Sequence, residues 1–272
     1  MEEMDIAQQR AILMRKIRRR FMLKAYFLFI AFVLFSVLQW CLVLTFAVIG
    51  DFLISHEELS IGALFISLML MTVFVFVEGI RIAIPLNWLL TFIILQAVII
   101  GTSRLLVMTC YGVLIGSLIF VLLPMFIFIL LGSLIKHDFT LDVIILFVLS
   151  FVFFVGAVYF ITFYVVAKVN LAFYIYAALV YIIVCIFIMY HAQTINGNRY
   201  AEMRTTDYLL AALILYVDFL VLYMVITHVM LIAWDGIMKT PCGRLSQNGA
   251  PTDPPIDDGN DDDNLDTPGS DR

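Results

Sequence analysis

Charge is what this sequence has least of. Only 14% of its 272 residues are Asp, Glu, Lys or Arg, against 64% hydrophobic, and mean hydropathy is +1.06. A soluble domain of this length has no use for so much apolar surface, which leaves an integral membrane protein. Cysteine is scarce as well. Cys41, Cys110 and Cys185 lie in or beside apolar segments and Cys242 in the tail, with no CxxC or Cys/His ligand spacing, so the sequence suggests neither a metal site nor a disulfide framework. HExxH, GxSxG and paired-aspartate protease motifs are absent and the four histidines form no ligand set, so an enzyme is not expected. A seven-helix G-protein-coupled receptor is disfavoured by the missing Glu/Asp-Arg-Tyr and Asn-Pro-x-x-Tyr motifs and by the basic N-terminus. A cleavable signal is not expected either, because the first apolar run is too long and no small-residue cleavage site follows it.

What is present is length. Barrel strands would alternate over about ten residues, whereas these apolar runs are continuous, so helices are the expected spans. A span needs about 20 apolar residues. Seven segments qualify, at about 26–49, 59–77, 86–103, 105–135, 141–166, 171–190 and 208–234. Pro124 should kink the fourth. Lys168 and Asn170 mark a tight turn before the sixth. The expected fold class is an all-α membrane protein with three parts: a basic N-terminal segment (1–24), a seven-helix membrane domain (25–235) and an acidic disordered tail (236–272).

The net charge of −5 hides a polarity. Arg10, Arg15, Lys16, Arg18, Arg19, Arg20 and Lys24 precede or open the first span, and the acids gather after residue 252. Lys and Arg beside a first span are held on the cytoplasmic side, so the expectation is a cytosolic N-terminus and no nucleic-acid partner. Arg81, Lys136, Arg199 and Arg204 fall in loops on that same side. Seven full crossings put the tail outside; a re-entrant last segment, mildly favoured by Lys239 and Arg244, keeps it cytosolic. The run Asp257–Asn264 fails the EF-hand pattern, lacking its sixth-position Gly and closing Glu.

Within the last span one residue stands out. Asp218 is flanked by Leu215, Tyr216, Val217, Phe219 and Leu220. An ionised carboxylate at that depth costs about 2.5–3.5 kcal/mol on insertion scales, so it should face a partner or a wet cavity. Ten residues into the span at about 1.5 Å each, it lies roughly 15 Å deep. Ala211, two turns earlier on the same face, allows a close helix approach. Tyr216 and Tyr223 could supply hydroxyls. Thr205 is the expected N-cap, with Asp207 in the first turn at the positive end of the helix dipole. Glu78 and Arg81 are spaced for a solvated i,i+3 pair, Gln96 for interhelical bonding, and His228 for the far interface.

The stretch His191-Ala-Gln-Thr-Ile-Asn-Gly-Asn-Arg-Tyr, followed by Thr206-Asp-Tyr-Leu-Leu-Ala-Ala-Leu-Ile-Leu-Tyr-Val-Asp218, resembles the C-terminal signature of the transmembrane Bax-inhibitor-motif family, Lifeguard branch. Ile17-Arg-Arg-Arg-Phe21 with Lys24, Pro85-Leu-Asn87 and His137-Asp-Phe-Thr140 extend the likeness over residues 15–234. The resemblance implies a seven-helix bundle with the last helix at its centre, calcium leak across an endoplasmic reticulum or Golgi membrane, and suppression of cell death. It implies no cofactor; Ca2+ is the possible transported ion, and the bilayer and anti-apoptotic membrane proteins are the possible partners. In the family two Asp residues share a proton and gate the pore. The second maps onto Asp218, but the first maps onto His191, and the family's Asn near the second motif's end is Ile214 here. Two carboxylates in low dielectric repel when both ionise, whereas a protonated imidazole attracts one. The expectation is a His191–Asp218 latch tightened by acid; the alternative is that His191 merely caps the sixth helix. At the level of function, a non-conducting scaffold that binds cell-death or trafficking partners remains the second reading.

Overall fold

The computed structural model describes residues 2–238. The acidic run after residue 252, together with Lys239, Cys242 and Arg244, lies outside the described residues.

No glycine or proline interrupts the chain before Gly50, so nothing separates the basic lead-in from the first span. They form one helix, α1 (Glu2–Thr45), of 44 residues. At 1.5 Å per residue it is about 66 Å long, twice the hydrocarbon thickness, and its basic half projects beyond the bundle. It stops earlier than the run of apolar residues suggests. Phe46 turns extended and a short helix, α2 (Ala47–Ser55), takes up the polar residue Asp51 that follows the first apolar run.

The remaining helices are α3 (Glu57–Phe76), the five-residue α4 (Glu78–Ile82), α5 (Leu86–Val107), α6 (Tyr111–Leu134), α7 (Val143–Ala167), α8 (Asn170–Asn196) and α9 (Tyr208–Met238). Seven of them, all but α2 and α4, are long and apolar enough to cross a membrane. The molecule is an all-α multi-pass membrane protein. α6 runs unbroken through Pro124. The tight turn before α8 is made by Lys168 in the left-handed region, with φ of 56°.

Alternate crossings gather the N-terminal half of α1 and the α4–α5, α6–α7 and α8–α9 connections at one end, called here the basic end. α9 packs against α1, α5, α6 and α8. Two thirds (67%) of its most apolar stretch is buried, against 6% for α7. The last helix is therefore the axis of the bundle and α7 a peripheral stave pairing with α8. The main core follows from this: Leu209, Ala212, Leu215, Phe219 and Leu222 of α9 meet Phe29 and Val33 of α1, Val121 and Met125 of α6 and Ile188 of α8.

Candidate functional site

A helix that is apolar all round has no preferred face, and polar residues decide how α9 is turned. Tyr216 and Asp218 are two residues apart, about 200° around the helix, and point opposite ways. Tyr216 meets α1, its hydroxyl 2.6 Å from Ser36 Oγ. Asp218 meets α8, where its Oδ2 lies 2.7 Å from His191 Nδ1. An ionised carboxylate only accepts, so Nδ1–H donates. That separation is typical of a bond to a charged group. The side chains are 19% (His191) and 10% (Asp218) exposed, so the pair is nearly dry. Phe187 and Tyr190 flank the imidazole, with ring centres 5.9 and 5.6 Å away.

Several sequence expectations need correction here. α8 continues to Asn196, so His191 is five residues inside the helix and does not cap it. Tyr216 is fully buried but serves α1, so it does not support the His191–Asp218 pair. Tyr223 stacks on Trp40 with ring centres 4.9 Å apart, likewise toward α1. Ala211 is fully buried in α9, as a small residue at a close approach should be.

Asp207 is not in the first turn of α9. It precedes Tyr208, and its carbonyl accepts the first helical bond from Ala211 N at 3.0 Å, so Asp207, and not Thr205, holds the N-cap position. Its buried carboxylate lies 3.5 Å from Arg81 Nη1. Arg81 thus turns inward to α9, and Glu78 pairs with Arg204 instead, so the expected i,i+3 pair does not form. The α8–α9 loop brings both partners near, which spacing on one helix cannot reveal. Eleven residues, about 16 Å along α9, separate Asp207 from Asp218, so these are two polar centres. Gln96 has no interhelical hydrogen bond among the described residues. His228 packs against Phe173 at the start of α8, at the end opposite the basic one.

The loops above the His191–Asp218 pair are tied down by residues whose contacts the sequence did not reveal. Gln193 accepts from Phe139 N at 2.9 Å and donates to His137 O at 2.8 Å, joining α8 to the α6–α7 loop. In that loop Asp138 accepts from the Thr140 hydroxyl at 2.6 Å and from Tyr200 N at 2.9 Å, while Thr140 Oγ1 accepts from Ala201 N. The Thr140 hydroxyl, with help from the Tyr200 and Thr140 amides and Arg199, holds the Asp138 carboxyl below its usual range. Arg199 donates to the carbonyls of Ile135 and Lys136. Arg18 of α1 donates to the carbonyls of Thr194 and Met203. Gly197 sits against that guanidinium with φ of +76°, a conformation and a proximity that only glycine accepts without strain. Read from sequence, Arg18 is one arginine among several. The Gly that follows a helix end, Asn196-Gly197, was the available hint of a tight contact.

Beneath these loops α6 and α8 touch backbone to backbone. A Cβ built on Gly132 falls 2.7 Å from Met189 O. This seats α8, and with it His191, against the bundle. Cys41 and Cys185 are free, whereas Cys110, between α5 and α6, is disulfide-bonded, which cysteine spacing did not suggest.

One carboxylate and one imidazole can close a gap, exchange a proton or touch a passing cation. They do not amount to the six to eight oxygens of a dedicated calcium cage. Among the described residues no three His, Cys, Asp or Glu side chains converge on a common point. The chain matches no family model and no curated protein.

Proposed function

We propose that the chain is a Bax-inhibitor-type membrane protein of the Lifeguard branch, a calcium-permeable leak or a regulator of calcium homeostasis in the endoplasmic reticulum or Golgi membrane, and through that activity a negative regulator of apoptosis. The observation that carries the reading is the His191–Asp218 bond, a polar link at 2.7 Å between α8 and α9. It joins the two positions onto which the family's gating acids map, one of them kept as Asp218 and the other replaced by His191. The basic residues at one end support a cytosolic N-terminus. The role is a passive one, without enzymatic chemistry.

In this reading the pair latches α8 to α9 and closes the route beside the central helix. Imidazole is the side chain whose ordinary charge change lies nearest neutrality. Its protonation adds an attraction to the carboxylate, so acid tightens the latch and reduces flux.

The test is calcium efflux from liposomes carrying the purified protein. Wild type should leak less at pH ~6 than at ~8, and His191→Ala should leak more than wild type and lose the difference. Flux that rises with acid and ignores His191→Ala refutes the latch. The second reading, a non-conducting scaffold, draws on His191 and Ile214 standing where the family has an acid and an amide. It predicts no efflux from either protein.

A further inference from the structure

Two cavities lie end to end along one face of α1, and their chemistry is complementary. The first, about 680 Å³, opens at the basic end between α1 and the α8–α9 loop. Its charged lining is Arg15, Arg18, Arg19 and Glu202, a net of two positive charges. The second, about 450 Å³, is a cleft between α1 and α6 walled by Phe29, Ile30, Leu122, Phe126, Ile129 and neighbouring apolar side chains. A short hydrogen-bonded chain marks their junction. The Tyr26 hydroxyl donates to Asn196 Oδ1 at 3.0 Å, and Asn196 Nδ2 donates to Ser133 Oγ. Asn196 borders the upper cavity, and Tyr26 and Ser133 border the lower.

We infer that this face binds one anionic phospholipid, its phosphate against Arg15 and Arg19 and an acyl chain in the α1–α6 cleft. The spacing fits. Arg15, Arg19, Met22, Tyr26, Phe29 and Ile30 follow one another at steps of three or four residues, or side by side, so they form one stripe on α1. Arg18 to Phe29 spans about 16 Å, the distance from an interfacial phosphate into the hydrocarbon of one leaflet. The charges fit as well. Arg18 is occupied by two carbonyls and lies 3.6 Å from Glu202, which also accepts from the Asn198 amide. Arg15 and Arg19 are exposed and have no ion-pair partner among the described residues. Basic clusters beside a first span attract anionic headgroups, about 1 kcal/mol per residue near the surface. No unengaged acid lines the cavity to receive a choline ammonium, so a zwitterionic headgroup is the poorer match. A free phosphate would use the arginines but not the apolar cleft that continues from them.

The full-length protein in detergent is titrated with dioleoyl phosphatidylserine, dioleoyl phosphatidylcholine or inorganic phosphate, and bound lipid is counted by native mass spectrometry. We expect one phosphatidylserine per chain at concentrations where phosphatidylcholine is not retained. Arg15→Gln with Arg19→Gln should weaken retention about 30-fold, two residues at the quoted strength. Ile30→Trp, which fills the cleft and leaves the arginines, should weaken it too. Arg15→Lys with Arg19→Lys keeps the charge and should retain the lipid, which separates loss of binding from loss of fold. Equal retention of the two lipids overturns the inference, as does an unaffected Gln variant. So does full retention in Ile30→Trp with displacement by millimolar phosphate, which would make this a free-anion pocket.

Discussion

The strength of the His191–Asp218 bond can be set from its surroundings before it is measured. Interhelical hydrogen bonds in membranes average about 0.6 kcal/mol and reach about 1.7, while bonds to a charged group are worth about 1.5–3. This one is short, at 2.7 Å, and its two side chains are only 19% and 10% exposed. Those features place it at the upper end of the membrane range, about 1.5 kcal/mol of coupling, or roughly tenfold in the latched population. A double-mutant cycle isolates that term. Wild type, His191→Ala, Asp218→Ala and the double variant are unfolded reversibly by denaturant in micelles. His191→Ala should be the most destabilised relative to the atoms removed, because it strands a buried carboxylate. The double variant should recover part of that loss. Losses that add to within about 0.5 kcal/mol would show that the two side chains are merely adjacent, and the latch would fall with them.

Gly132→Ala should destabilise the protein by about 1–3 kcal/mol, because its new methyl meets the Met189 backbone at 2.7 Å and α6 must move off α8. On the same helix Gly116→Ala, whose nearest neighbour is a Met230 methyl at 4.0 Å, is the control and should leave the melting temperature in micelles unchanged. Arg81→Gln strands the Asp207 carboxylate, 8% exposed, and should cost about 2 kcal/mol by denaturant unfolding. Asp207→Asn should cost less, since the Arg81 it leaves unpaired is the more exposed partner, 16% against 8%. The Asp138 carboxyl lies below its usual range, chiefly through the Thr140 hydroxyl, so the sign of its pH effect is fixed. The clasp is fully present above the unfolded value of 3.8 and is lost as pH falls through the lower folded one. The protection factor of the Tyr200 amide, taken against the intrinsic exchange rate at each pH, should therefore hold above pH 3.8 and fall below it, and Thr140→Val should move the onset to higher pH.

The spans were legible because hydrocarbon thickness imposes a length and helices are the only open structures that satisfy their own backbone. Asp218 was legible for the same reason, as a charge where none is cheap. Ends and partners were not. Asn196 closes α8 because the loop beyond it is bonded to the Asp138 turn and to Arg18, contacts that join residues over 50 positions apart. A local pattern stops at the first polar residue, His191, and misreads it as the end. Arg81 illustrates the limit in the other direction. Helical spacing offers Glu78 as its partner, but the α8–α9 loop delivers Arg204 to Glu78 and leaves Arg81 for Asp207. Tyr216 was assigned to the wrong neighbour because a helix apolar on every side carries no record of which face meets which partner.

If the latch opens, the geometry decides which helix leaves. α9 is held to α1 by the Ser36–Tyr216 bond at 2.6 Å and by three aromatic pairs: Phe29–Phe219, Phe32–Tyr216 and the stacked Trp40–Tyr223. At about 0.5–1.5 kcal/mol per pair, the three ring pairs bind α9 to α1 by roughly 1.5–4.5 kcal/mol, at least as much as the latch contributes on the other side. α8, by contrast, travels with α7, the stave whose apolar surface is almost wholly outward. Moving that pair opens the α6–α8 seam at Gly132 and uncovers Ile188 and Ala192, whereas moving α9 would also break the aromatic contacts with α1. Breaking the latch with His191→Ala should therefore change the distance between spin labels at Leu34 of α1 and Ile182 of α8, both on exposed positions. The distance from Leu34 to Val221 of α9 should stay as it is. A shift in the second distance and not the first would mean that the central helix is the moving part and that the aromatic ladder does not hold it.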